Sequence, residues 1–524
     1  MKNKLGILLT LTFLLSLGSC FQDLDLAPPY GVNSASVYED PANYINVLAK
    51  LYAGLSLSGN NGPAGEPDIV GIDEGFSSYI RVFWNLQEVP TDEAVVGWND
   101  PGLPELNTME WVATNSWTGA MYYRIFFQIT LINEFIRESD ADKLNGRGFS
   151  QADVDRISQY QAEARFLRAL SYFHALDLYG GNVPFVTEED LVGAFLPEQT
   201  NANDLFAYIE SELLDLEAGL MDPVVGYDDQ VYARANKAAA WTLLAKLYLN
   251  AEVYTGSARW NDCITYCQKV IDAGYELEGD YTHLFLADNQ QSREIIFPVT
   301  FHGLNSKTYG GTTFLTHAPV GGSMSADDFG INTGWGGYRT TKGLVNTFTD
   351  TLDNRYLFYT DGQNLEVNSI GTFTDGYAVA KWRNVDRNGN DGVDPTGDFV
   401  DIDYPMFRLA EVYLMYAEAA VRSGGDTGKG AGYLNELRDR AGIDDIGNDY
   451  TAMDVLDERA RELYWEAQRR TDLIRYGRYT GGAYLWPWKG GVMEGTSVSD
   501  HLGIYPLPES DLSANPNLDQ NPQY

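Results

Sequence analysis

ANKAAAWTLLAKLYLNAEVYTGSARWNDCITYCQKVIDA, residues 235–273, holds the pattern that decides the fold. Its first half puts Ala238, Trp241, Ala245 and Tyr248 on one stripe at helical spacing, and small residues there let a neighbouring helix approach closely. Thr255-Gly256-Ser257 interrupts the pattern. A second helical period resumes at Trp260, with Cys263, Ile264, Cys267, Val270 and Ile271 on one face. Two cysteines one turn apart on a helix cannot meet disulfide geometry, so they read as buried thiols. No Cys-x-x-Cys pair occurs, which leaves neither a disulfide framework nor a cysteine zinc site.

Two helices within about 34 residues, with alanines and large aromatics at their contacts, resemble a tetratricopeptide repeat. Working outward, further helices are predicted over 43–55, 117–137, 159–179, 203–220, 408–423, 432–441 and 454–476. The segment 159–179 is apolar almost all round and stops at Gly180-Gly181, as a helix buried on most sides does. Its charges, Glu163, Arg165, Arg168 and Asp177, then need structural ion-pair partners. From 281 to 404 glycine and threonine rise and only short apolar runs such as EIIFPVTF and YAVAKW remain. The expected class is therefore mainly α. It is a helical-hairpin stack over 41–280 and 405–476, with loop-rich stretches over 56–115 and 281–404 that carry short strands. One domain spans 20–524, and its Pro- and Asn-rich tail lies across the body as ordered coil.

Within the first loop-rich stretch, residues 68–98 combine Asp73, Arg81 and Trp98 with breakers at Gly71, Gly75, Pro90 and Thr91-Asp92, and read as a long ordered loop. Tyr309 in TYGGTTFL and Trp335 in NTGWGG stand beside paired glycines that would leave a ring uncovered.

Lys2 and Lys4 precede an apolar run that ends at Leu17-Gly18-Ser19-Cys20. A basic start, a short apolar segment and small residues make 1–19 a secretory signal peptide. The last four residues match a bacterial lipobox, so Cys20 is expected to be lipidated and to anchor the protein. Lys and Arg total 36 against 74 Asp and Glu, a net charge of −38 that repels phosphate backbones and argues against nucleic acid. The 34 tyrosines and 11 tryptophans suit hydroxyl-rich ligands and helix packing alike.

Catalytic patterns are absent or fail on spacing. GGDTGKG at 424–430 lacks phosphate-loop spacing, and Gly430 stands where Ser or Thr should bind magnesium. No Gly-x-Ser-x-Gly elbow surrounds Ser323. His174, His283, His302, His317 and His501 show no ligand spacing. Asp386, Asn388 and Asn390 precede Gly392, but the EF-hand glycine register and bidentate Glu are missing, so an Asn/Gly turn is the default and a calcium-stabilised turn the weaker alternative. No other cofactor is called for. Among 74 acids, paired carboxylates carry no weight for glycoside hydrolysis.

The lipobox, DEGF (73–76), PTDEAVVGW (90–98), EARFLRALSYFHALDLYGGNVPF (163–185), RLAEVYLMYAEA (408–419), ERARELYWEAQRRTDLIRYG (458–477) and the YPLP and NPNLDQN tail, in this order, resemble the SusD/RagB family end to end. TYGGTTFL, NTGWGG, FTDGYAVAKW and LWPWKGG are similar to its starch-binding branch. The resemblance implies a non-catalytic outer-membrane surface lipoprotein that binds starch or maltooligosaccharides and works with a SusC-like TonB-dependent transporter. It also implies four tetratricopeptide-like helix pairs, an aromatic arc of Trp98, Tyr309 and Trp335, and polar contacts from Asp73 and Arg81. The family has an asparagine a few residues after this tryptophan, whereas Trp98-Asn99-Asp100-Pro101 is a residue short, which makes Asn99 the candidate for that contact. The same role for another glycan, a surface glycoside hydrolase, and a protein-binding adaptor whose aromatics are core are the competing functions.

Overall fold

The computed structural model describes residues 34–524 except 64–66, 191, 192 and 194, so the leader and Cys20 lie outside the described residues. The helices that build the site and the stack begin with α1 (Tyr44–Ser56), α2 (Tyr79–Glu88), α3 (Leu103–Thr108), α4 (Ser116–Glu138) and α5 (Gln151–Tyr179). They are followed by α6 (Ala202–Leu216), α7 (Lys237–Leu249) and α8 (Trp260–Asp272). The last two are the helices read from 235–273. Their starts follow from side-chain caps: Asn115, Ser150, Asn201 and Asn236 each accept hydrogen bonds from backbone amides of the first turn. Helix α5 ends at Gly180 in the left-handed region, where glycine carries no Cβ penalty.

After the loop-rich region come α9 (Gly311–His317), α10 (Leu409–Ser423), α11 (Thr427–Ala441), α12 (Ala452–Leu463), α13 (Arg469–Arg475) and α14 (Glu509–Ala514). Packing runs from α4 to α5, α6, α7 and α8, and then across the chain to α10 and α11. Three two-stranded ribbons complete the fold. β1 (Val95–Val96) pairs with β3 (Tyr338–Arg339), β2 (Ile295–Val299) with β6 (Tyr404–Arg408), and β4 (Phe358–Tyr359) with β5 (Ala378–Val379), all antiparallel. The β2–β6 ribbon closes the insertion at its base. The tail crosses the body as expected, with Asn521 donating to the carbonyls of Tyr179 and Tyr505.

Residues 68–98 are not one long loop. All ten residues of α2 are buried, although Arg81, Asn85 and Glu88 recur at helical spacing; the breakers on either side obscured a period that is present. The predicted helix 454–476 is broken. Trp465 and Ala467 adopt left-handed backbone (φ 61° and 58°) between α12 and α13. Glu458, Glu462 and Glu466, four residues apart, keep the helical spacing running through the break and conceal it. The excursion seats Trp465 in the core, its indole donating to the Glu93 carbonyl at 3.0 Å and its ring 5.1 Å from Trp84.

The charges of α5 find the expected partners: Arg165 and Arg168 meet Glu212 at 2.7 and 2.9 Å, Asp177 meets Arg470 at 3.1 Å, and Glu163 meets Arg234. A second buried ionic group lies beside α12, where Arg408 contacts Glu294, Glu462 and Glu466 at 2.8, 2.6 and 2.7 Å. Arg355 pairs there with Asp353, Glu458 and Glu462. Burial works to raise the carboxyl pKa of Glu458, but Arg355 and Arg461 overcome it and hold the group at about 2. Cys263 and Cys267 are buried free thiols with their sulfurs 3.9 Å apart.

Candidate glycan-binding site

Ribbon β1–β3 brings the first and third aromatic segments together. The Gly97 amide donates to the Gly337 carbonyl at 2.9 Å, which sets Trp98 beside Trp335 with ring centroids 6.2 Å apart. A Cβ on Gly337 would fall 2.2 Å from the Trp98 indole, so only glycine permits this approach. The glycine next to the rings therefore serves close backbone packing, not exposure of a ring. Tyr309, at the entry to α9, stands 6.3 Å from Trp335. All three rings are half-buried, each leaving part of its surface to solvent. Trp335 is backed by His317, stacked at 4.9 Å, whose Nδ1 meets the Thr333 carbonyl at 2.7 Å. Burial lowers the His317 pKa, so the imidazole under the ring is neutral.

Arg81 sits on α2 behind this wall. Its Nη1 donates to the carbonyls of Gly75 and Tyr309, both at 2.9 Å, and its guanidinium lies 4.7 Å from Phe314 and 5.9 Å from both Trp98 and Trp335. Its side chain is 9% exposed, and burial lowers its pKa from the usual value. The residue ties the 71–76 turn to Tyr309 and fills the space behind the rings, while still reaching the cleft wall.

The rings open onto a cleft of about 1100 Å³. Trp335, Tyr309, Asp73 and Arg81 line it; Trp98 stands one ring back, against Trp335 and Tyr338. Asp73 is exposed and accepts from the Gly75 amide at 2.8 Å, which shapes the turn at the rim. Asn99 is also exposed, but the wall at that point is made by Asp100 and Pro101. Sequence reasoning missed Phe76, Asp100, Tyr123 and the tail residues Glu509, Ser510 and Ser513, which also line the cleft. Tyr123 was hidden because it lies in a strongly apolar helix, and the tail because nothing in its composition marks a site.

The Asp386 loop is a tight turn. Asp386 Oδ1 accepts from the amides of Asn388 and Asn390 at 2.8 Å, and the Asn390 side chain donates to Oδ2. Among the described residues, no group of three or more His, Cys, Asp or Glu side chains is arranged to hold a metal ion.

A mainly helical repeat body that presents half-buried rings over a long open cleft has the build of a carbohydrate-binding protein. The family model of the SusD family matches residues 299–524. The Starch-binding protein SusD of Bacteroides thetaiotaomicron is 34% identical over 97% of this chain and 96% of its own. The chain belongs to the SusD family, whose members are non-catalytic, carbohydrate-binding and associated with the outer membrane at the cell surface. Among solved structures, surface glycan-binding protein A from Bacteroides uniformis superposes with a TM-score of 0.70 at 20% identity, over 92% of this chain and 99% of that one. A laminarin-binding SusD-like protein superposes with a TM-score of 0.69 at 20% identity, over 92% and 99%. These two likenesses establish the fold.

Proposed function

We propose that this chain captures starch or maltooligosaccharides, α-1,4-linked glucans, at the cell surface and passes them uncut to a SusC-like TonB-dependent transporter in the outer membrane, while Cys20 holds it there by its acyl chains. The observation that carries the reading is the convergence of Trp335 and Tyr309, with Trp98 packed behind Trp335, on one wall of the cleft from segments far apart in the chain. Trp335 and Tyr309, with ring centroids 6.3 Å apart, offer apolar surface to neighbouring sugar units. The charge at the site narrows the ligand class. Asp73, Asp100 and Glu509 rim the cleft with carboxylates against one lining cation, Arg81, whose Nη1 is held by two backbone carbonyls. With a net charge of −38 behind them, uronates and sulfated glycans are repelled and neutral glycans are not.

Calorimetric titration of the full-length protein in detergent with maltoheptaose tests the reading. The wild type is expected to bind, and Trp335→Ala to weaken binding by about 30-fold or more, the equivalent of about 2 kcal/mol for a stacked aromatic anchor. An unchanged affinity in that variant would end the role given to the arc. Laminarin, a β-glucan, is the comparison ligand, because the structural neighbour named for binding it shares the fold. Tighter binding of laminarin than of maltoheptaose would reassign the glycan and leave the arc in place. Reducing-sugar release on prolonged incubation would favour a hydrolase. For the anchor, Cys20→Ser should move the protein from the membrane to the soluble fraction.

A further inference from the structure

We propose that the part of the cleft lined by Phe76 and Tyr123 is a second glycan subsite that grips the continuation of the chain held by Trp335 and Tyr309. The proposal rests on the glycan-binding reading above and extends it to ligand length.

The cavity is continuous: Trp335 and Tyr309 line it together with Phe76 and Tyr123. At about 1100 Å³ it exceeds the range of roughly 300–1,000 Å³ that serves drug-sized ligands, so an oligomer is needed to fill it. Both additional rings are half-buried and held in place before any ligand arrives. Phe76 stacks on Trp117 with centroids 4.4 Å apart and planes at 28°, and the Tyr123 hydroxyl is hydrogen-bonded to Ser510 at 2.5 Å. Fixed rings flanked by exposed hydroxyl and carboxylate groups, at Thr114, Ser513 and Glu509, are what a sugar needs: an apolar face to stack on and acceptors or donors for its hydroxyls.

The second observation is a glycine in an unexpected place. Gly119 lies inside α4, where glycine is among the least favourable residues. No close packing accounts for it, since a Cβ there would meet only Tyr123 Cε2, at 4.0 Å. Gly119 lines the cleft, and with Ala120 beside it the helix surface next to Tyr123 is kept low. A side chain at 119 would project into the path that joins the arc to Tyr123. The helix gives up local stability and the cleft keeps its passage.

The test titrates the full-length protein with maltotriose and maltoheptaose. The wild type is expected to bind the heptaose roughly tenfold more tightly than the triose, because only the longer chain reaches both pairs of rings. Gly119→Leu, which blocks the passage, and Tyr123→Ala, which removes a ring, should each abolish that advantage and leave maltotriose affinity within about twofold of the wild type. The two variants act by opposite changes of volume, so one failing to fold leaves the other as the test; thermal melting checks each. Equal wild-type affinity for both lengths, or variants that keep the heptaose advantage, overturns the subsite while the arc reading stands. No binding of either oligosaccharide by the wild type overturns both, and Trp335→Ala, expected to weaken both lengths alike, tells arc binding from tail binding.

Discussion

Two arginines, Arg81 and Arg408, are buried among aromatic rings, and they do opposite things. Arg408 sits 1% exposed with three glutamates around it, and its neighbours Arg355 and Arg440 share the same carboxylates. Every charge there has an opposite, and the attraction of those carboxylates outweighs burial, so its pKa is raised. Arg81 has carbonyl oxygens for partners, burial lowers its pKa, and its surroundings are rings that open onto a cleft. A charge satisfied entirely within the protein marks scaffold. A charge held by backbone dipoles, with rings around it and open space in front, marks a surface kept ready for something else.

The largest effect that would separate the two regions is expected from Arg408→Ala. It removes the one cation that Glu294, Glu462 and Glu466 have in common, leaving them only Arg440, Arg355 and Lys381, and should cost about 3–5 kcal/mol in chemical denaturation, with glycan affinity unchanged in the folded fraction. Acid should act on the same region. Glu458 is held at about 2 in the fold and returns to about 4.3 when unfolded, so its contribution is complete above about pH 4.3 and is lost as pH falls through about 2. Melting temperature is expected to fall across that window; a flat profile would show that the ionic group contributes nothing. Arg81→Leu is smaller in stability, about 1–3 kcal/mol for two buried carbonyls left without their donor. It should also weaken maltoheptaose binding, because the Tyr309 segment loses its tie. A stability loss with full binding would show that the rings hold their own positions. Asn99→Ala is expected to change stability by less than about 0.5 kcal/mol, and binding by less than twofold, since Asp100 and Pro101 form the wall there. A large loss of affinity would restore Asn99 to the ligand.

Much of this was legible in the sequence, and the exceptions share a cause. The pair α7–α8, the stop of α5 at Gly180 and the partnered charges of α5 follow from periodicity and residue chemistry, which are local. Helix α2 escaped because it is short and set between Gly75 and Pro90, although Arg81, Asn85 and Glu88 keep helical spacing. The break at Trp465 escaped because Glu458, Glu462 and Glu466 answer to arginines elsewhere in the chain and happen to share helical spacing. At the site, Trp98, Tyr309 and Trp335 were recognisable through motif resemblance. That Trp98 stands a ring behind the cleft is a matter of packing depth, which no spacing encodes. Phe76, Tyr123 and Ser510 were invisible for the same reason, although a glycine at 119 inside an apolar helix was the one local sign that something must pass beside it.

The bond from Arg81 to the Tyr309 carbonyl spans 228 residues of chain. Closing so long a loop carries an entropic cost that the local helical hairpins do not, so the hairpins are expected to assemble first and the cleft last. No partly folded form that has only its helices can hold a glycan. Ligand affinity is thus acquired in a single late step, and a bound glycan, by stabilising only the finished molecule, works against unfolding of the entire chain.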